Sequence, residues 1–323
     1  MKRKFVVEFA LLVAGFTAAG VAIAQGFPSR SIRLVVGYPP GGLTDGVART
    51  LAPRLSETLG QQVFVDNRGG GGSTIGTDIV AKAAPDGHTL LVADQAFITN
   101  PSLYAKLPFD TLKDFQPVSL VGAASLVILV HPSLPVRSIK ELVALAKSRP
   151  GDINYASGGN GTATHLAGEL FKQVAGVNFV HIPYKGAGLA IIDVLSGQVS
   201  LMFGSIGGAA PQVAAGKIKA LAVTGNAPIA VLPGVPTLAE AGYPAASVVG
   251  YWGVLAPVGV ARDVLDKLSG AIAAAVKRPE VRQRLLDQGV DPTGSGPGEY
   301  ERIIRAEIGR WAKVIKEAGI KVD

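Results

Sequence analysis

The sequence predicts an α/β protein of two domains with a ligand cleft between them. Three observations carry this. Apolar, β-branched runs alternate with segments of helical periodicity along most of the chain, the pattern of strands covered by crossover helices. Two stretches, 32–59 and 153–175, repeat one unit of strand, glycine-rich turn and helix. Two long apolar strands ending in proline, Ser125–Pro132 and Val248–Pro257, each lead toward a new helix and read as crossings between the domains. The first domain is then discontinuous, 25–124 plus 249–323, and the second is 125–248.

The chain begins with a secretory signature. Lys2-Arg3-Lys4 is a basic start, Phe9 to Ala19 is apolar, and Ala22-Ile23-Ala24 is a small-residue cleavage site. Residues 1–24 therefore read as a signal peptide cleaved after Ala24, and the mature chain as exported. The apolar run is short for a membrane span. At 323 residues, with 48% hydrophobic and 17% charged residues, the chain can build a sizeable core and is not expected to be disordered. It has no cysteine, which excludes a disulfide framework, thiol catalysis, Cys-ligated zinc and a lipid-modified N-terminal Cys. The net charge of +7 falls to +5 once Lys2, Arg3, Lys4 and Glu8 are removed. This mild excess could steer anions inward, but no Lys/Arg cluster with interleaved aromatics points to nucleic acid.

Taken in order, Ile32 to Val36 is a strand. Pro39 to Gly42 break the chain, and Thr44 or Asp45 is placed to cap a helix over 45–59 with Val47, Leu51, Leu55 and Leu59 on one face. Val63 to Val65 is a strand, Asp66 to Gly72 a turn, and about 74–84 a helix. Thr89 to Val92 is a strand ending in a turn at 94–99. This order implies a mostly parallel sheet, whose ligands bind beyond the carboxyl ends of the strands. After the first crossing, Ser138-Ile139-Lys140-Glu141 is a capping box opening a helix to about Lys147. Strand 153–156, helix 164–175, strand 178–182, helix 187–196 and strands 199–203 and 218–223 follow. Two helices close the chain, with stripes Val264/Leu268/Ile272/Val276 and Ile304/Ile308/Trp311/Ile315, and Gly319 as the last stop.

The turns at 38–45 and 157–164 are the candidate site. A strand turning sharply into a helix aims unpaired backbone N–H groups and the positive end of the helix dipole at one point, and glycine admits close approach of a ligand. Each turn taken alone is equally compatible with an ordinary βα connection. Other chemistries fit poorly. No phosphate loop, G-x-S-x-G elbow or H-E-x-x-H is present, and Gly159 to Thr164 only approximates a dinucleotide turn. His88, His131, His165 and His181 form no close pair on a helix face, so no metal site is expected. Ser157, Ser205 and His165 can be drawn as a dyad but lack an orienting acid. The cleft turns offer neutral donors, Thr44, Gln95, Thr99, Ser157, Asn160, Thr162, Thr164 and Ser205, which suit binding and release. No cofactor is implied.

Several segments together resemble the Bug family, the substrate-binding proteins of tripartite tricarboxylate transporters. They are Tyr38 to Asp45 with Ala48-Arg49, Val65 to Gly70, Ala84 to Leu91, Asn100 to Tyr104, Leu107 to Asp110 before Lys113-Asp114-Phe115, and Tyr155 to Leu166. His181 to Gly186, Gly197-Gln198-Val199, Gly216 to Val223 and Pro236 to Gly242 continue the series over essentially the whole mature chain. The resemblance implies a type II periplasmic binding protein fold, a periplasmic location and closure around a small organic carboxylate. It implies a ligand held by Tyr38, Pro40, Gly41, Gly42, Thr44 and Asp45 at one end and by Ser157, Asn160, Gly161, Thr162, Ala163, Thr164 and His165 at the other. Gln95, Ala96, Lys185 and Ser205 complete the set. A monomer delivering its ligand to membrane components of such a transporter is expected, without catalysis. An arginine at Ser157 is expected to abolish binding and spare the fold. Two departures stand out. Met202-Phe203 is followed by Gly204-Ser205, where many relatives carry an acid, which argues against an amino-acid ligand. Gly69 to Gly72 is richer in glycine than usual. The alternatives are a hydrolase or isomerase acting on carboxylates, and a sensor for a membrane signalling receptor.

Overall fold

The computed structural model describes residues 26–225, 227–317 and 319–320. The expected signal peptide, 1–24, lies outside them. The first lobe opens with three parallel strands in the order β2-β1-β3: β1 (Ile32–Val36), β2 (Val63–Asn67) and β3 (Thr89–Ala93). Leu34, Val35 and Val36 are all buried because helices cover both faces of this sheet. Leu34 and Val36 pack with Val47, Leu51 and Leu55 of α1 (Leu43–Leu59), while Val35 faces the other way toward Val80 and Phe97. α2 (Thr74–Ala81) and α3 (Gln95–Leu103) bring in those two side chains.

The element that joins the lobes is β4 (Phe115–Val130). Its first part, Phe115 to Ser125, pairs antiparallel with β9 (Val249–Pro257), which also pairs with β3. Its second part, Leu126 to Val130, pairs with β7 (Leu201–Ser205) and β8 (Lys219–Val223) in the second lobe. There β5 (Ile153–Ser157) lies parallel to β6 (Phe179–Pro183) and to β7. Four helices cover this sheet: α4 (Ile139–Ser148), α5 (Ala163–Ala175), α6 (Ala187–Leu195) and α7 (Ile206–Ala214). The buried Thr224 ties the two crossings together: its hydroxyl donates to Val248 O at 2.7 Å and accepts from Leu126 N at 2.9 Å. The result is two α/β lobes joined by the strands that cross between them.

Five expectations need correction. The sheet is mixed rather than mostly parallel, because the strands that cross between lobes run antiparallel to their neighbours. β4 begins at Phe115, ten residues before the expected crossing, since Gln116, Pro117, Ser119 and Gly122 interrupt its apolar pattern. The segment 94–99 belongs to α3, capped by Asp94, whose carboxylate accepts from Ala96 N at 3.1 Å. α1 starts at Leu43 after Gly42, so Thr44 and Asp45 sit inside its first turn and spend their side chains elsewhere. The C-terminal part holds three helices and a strand rather than two helices: α8 (Arg262–Lys277), α9 (Pro279–Asp287), β10 (Val290–Ser295) and α10 (Pro297–Glu317). α9 buries only Val281 and Leu285, too few for a visible stripe, and β10 contains Pro292 and Gly294.

Candidate functional site: a cleft ringed by helix N-termini

The carboxyl ends of β1, β3, β5 and β7 all point toward the gap between the lobes, and each runs directly, or through a short turn, into a helix. A cavity lies there, with about 590 Å³ of space between atoms, solvent at its mouth included. Gly42, Asp94, Thr162, Gly186 and Ser205 stand on its wall, and each is the residue that caps a helix: α1, α3, α5, α6 and α7 respectively. Five of the ten helices among the described residues thus begin at one cavity. The first turns of α helices carry unpaired N–H groups and partial positive charge, so the ring has the backbone chemistry that suits an anion.

Nine of the residues expected from the sequence share this wall: Tyr38, Pro40, Gly42, Thr44, Thr162, Ala163, Thr164, Lys185 and Ser205. Asn160 instead lines an adjoining space of about 780 Å³, open solvent included, bounded also by Gly70 to Gly72, Tyr104 and Tyr184. Tyr38, Gly158 and Lys185 belong to both spaces and form the partition. The other seven are not among the wall residues.

Of those seven, Gly41 and Asp45 brace the first lip. Asp45 accepts from the Gly41 amide at 3.1 Å, Arg49 Nε at 2.9 Å and Asn67 Nδ2 at 2.9 Å. Burial would raise its pKa, but Arg49, Asn67 and the Gly41 amide together hold it below the ordinary carboxylate range. Gln95 and Ala96 are enclosed at the start of α3, and neither side-chain amide atom of Gln95 has a partner among the described residues. Gly161 offers its carbonyl to Thr99 Oγ1 at 2.8 Å, a bond from one lobe to the other, and its φ of +77° suits glycine.

Ser157 and His165 lie under the second lip. Ser157 Oγ is 2.6 Å from His181 Nε2 and accepts from the Gly159 amide at 3.1 Å. His165 Nδ1 accepts from the Gly161 amide at 3.1 Å, so that nitrogen carries no proton. The two imidazoles stack with centroids 4.1 Å apart, and Tyr155 stacks on His181 from the other side. Burial pulls His165 down to about 4; burial and the neighbouring His165 pull His181 down to about 3. Both rings are therefore neutral near neutral pH, and His165 Nδ1 acts as a fixed acceptor that shapes the lip.

Sequence reasoning missed Asp94, Leu126, Gly188, Leu189 and Trp252 as wall residues, while Pro39, Leu43 and Gly158 fall inside the turns expected at 38–45 and 157–164, and Gly186 and Ala187 inside a lip expected near 184–187. Asp94 follows the end of β3, so the strand-end rule could have found it. Trp252 is 208 positions from Thr44, to which its Nε1 donates at 3.0 Å, and no local signal marks it. Gly188 lies so near the first lip that a Cβ on it would stand 3.3 Å from the Gly41 carbonyl.

The sequence profile of the tripartite tricarboxylate transporter family receptors matches residues 47–320. The chain belongs to that family. Among solved structures, the periplasmic binding protein BugD is 36% identical and superposes with a TM-score of 0.88, over 92% of this chain and 100% of that one. Rpa4515 of R. palustris, solved with adipate, is 35% identical, with a TM-score of 0.88 over 92% and 100% of the two chains. MatC of Rhodopseudomonas palustris, solved with bound malate, is 33% identical, with a TM-score of 0.85 over 90% and 100%. Membership in the family also means that the chain is a receptor of a transport system, and the Bug resemblance drawn from the segments above holds.

Proposed function

We propose that this protein is a periplasmic receptor that captures a small organic carboxylate in the interlobe cavity and passes it to the membrane components of a tripartite transporter. The observation that carries this is the convergence of five helix N-termini on one cavity whose wall, among the described residues, holds a single cationic side chain, Lys185. Such a wall neutralises a carboxylate by backbone and helix dipoles and lets it leave again without breaking a strong ion pair. Adipate in Rpa4515 and malate in MatC are both dicarboxylates, which supports a ligand with an anionic group at each end.

The lobes are 25–124 plus 249–323, and 125–248, with the hinge where β4 and β9 pass between them near Thr224. Ligand draws the lobes together, and closure is completed by Thr99 on Gly161 and by Gly188 against Gly41. The chain acts as an exported monomer, after removal of 1–24, and binds no nucleic acid. It performs no catalysis. The Ser157–His181 pair has nucleophile-like spacing, but Ser157 is wholly buried and His181 is flanked by rings rather than by an orienting acid. A thermal-shift screen of the mature chain tests the proposal. Dicarboxylates should raise the midpoint by mass action, while sugars and amino acids leave it unmoved. A shift with sugars alone would refute it.

A further inference from the structure

One feature of the cavity runs against its purpose. Among the described residues of the wall, Asp94 is the sole carboxylate, and it stands in a site shaped for anions. Its partners are all neutral. Tyr38 OH lies 3.2 Å from Oδ1, the Ala96 amide 3.1 Å from Oδ1, and Thr44 Oγ1 3.2 Å from Oδ2. Thr44 Oγ1 is itself an acceptor for Trp252 Nε1. From α10, Tyr300 also faces Asp94: burial, and after it the nearby Asp94 charge, raise the Tyr300 hydroxyl above its ordinary value. So the groups facing Asp94 are Tyr38 and Thr44 from the first lip, Trp252 from β9, Tyr300 from α10 and the first turn of α3. None is a cation, and Lys185, on the opposite lobe, is exposed.

The hydrogens can be counted. An ionised Asp94 can only accept, so it takes the single hydroxyl hydrogen of Tyr38 and that of Thr44. The first lip then has no hydroxyl hydrogen left for a ligand. A protonated Asp94 donates to one of those two oxygens, and the released hydroxyl hydrogen can turn into the cavity toward an arriving anion. Protonation also removes the repulsion between two carboxylates sharing one enclosed space.

We propose, on the carboxylate-receptor reading above, that Asp94 takes up one proton from solvent when an organic carboxylate binds. The only bond formed is Asp94 O–H, and buffer supplies the proton. The N-terminus of α3 favours the ionised form in the empty receptor. Burial works the other way and pushes Asp94 up to about 6, so the empty site is ionised at neutral pH but easily protonated. A bound anion raises it further. The sign follows: below pH of about 6 the group is neutral with or without ligand, and affinity is flat. Above about 6, until the higher value of the complex, binding consumes a proton, and affinity falls with rising pH by up to about tenfold per unit.

The test is isothermal titration near pH 7 with adipate and malate, in two buffers of different ionisation enthalpy. The dependence of heat on buffer reads the protons taken up. The wild type should take up between about one half and one proton per ligand. Asp94→Asn, which keeps the shape and can only be neutral, should take up none and should hold its affinity between about pH 6.5 and 8 while the wild type weakens about tenfold. Binding by the wild type without proton uptake would overturn the proposal. A pH slope retained in Asp94→Asn would also overturn it. The wild-type proton count stands alone if that variant fails to fold. No heat with any organic acid would contradict the carboxylate reading, and this proposal with it.

Discussion

Asp45 shows how a residue beside a ligand site can serve it without touching it. Its carboxylate is buried and holds the Gly41 amide, Asn67 and Arg49 in one knot. Asp45→Asn should cost about 1 kcal/mol or more at neutral pH, read by urea unfolding. Because the folded pKa of Asp45 is lowered, this contribution is present above its unfolded value, about 4, and is lost as pH falls through the folded value. The gap between wild type and variant should therefore shrink below about pH 4. A gap that widens in acid would show that the knot is held by something else. Thr44→Val removes the hydroxyl that links Trp252 to Asp94 but keeps the volume. It should weaken ligand binding about tenfold by isothermal titration. Ser157 reverses the expectation drawn from the sequence. It is wholly enclosed and bonded to His181, so Ser157→Arg has no cavity to fill and should lower the midpoint of the whole fold by several degrees or more. Residue identity at the lips was legible because glycine, proline and hydroxyl residues cluster there. Which of them face the cavity was not, since that depends on how far each turn is rotated by its helix.

At the scale of elements, the local signals worked where a helix buries most of a stripe, with Val264 and Ile308 of the expected stripes only half-buried. In α8 the residues Leu268, Ile272 and Val276 are buried, and in α10 Ile304, Trp311 and Ile315 are. They failed where few side chains are buried or where small residues fill the element. α7 is built from Ile206-Gly207-Gly208-Ala209-Ala210-Pro211 and is not expected as a helix, yet it supplies one of the five helix ends at the cavity. Gly207 explains the composition: its amide donates to Gln288 O of the first lobe at 3.2 Å, and a Cβ there would stand 2.7 Å from Gln288 Cα. Gly188 plays the same part in α6. Gly188→Val should leave each lobe folded, with an unchanged midpoint in the empty protein, but weaken ligand binding at least about tenfold by holding the lips apart. Small-angle scattering should then show the same radius with and without ligand. Compaction in that variant on adding ligand would exclude Gly188 as a closure contact.

The whole molecule was legible in outline because its two crossings are long and apolar and because the strand–turn–helix unit occurs in both halves. Long-range pairing was not. Neither β10 against the edge of β4 nor Trp252 against Thr44 leaves a local trace, since each is fixed only when distant segments pack. The same holds for the hinge, where Thr224 joins Leu126 to Val248. The molecule that results places its charge economy in backbone rather than in side chains: five helix ends, one lysine and one buried aspartate around a single space. Equilibrium dialysis of the mature chain against adipate and malate, with the acid quantified on both sides after prolonged incubation, tests this most directly. About one molecule should be retained per chain and the total acid should stay constant. No retention of any organic acid, or acid steadily lost to a new product, would contradict a carboxylate receptor.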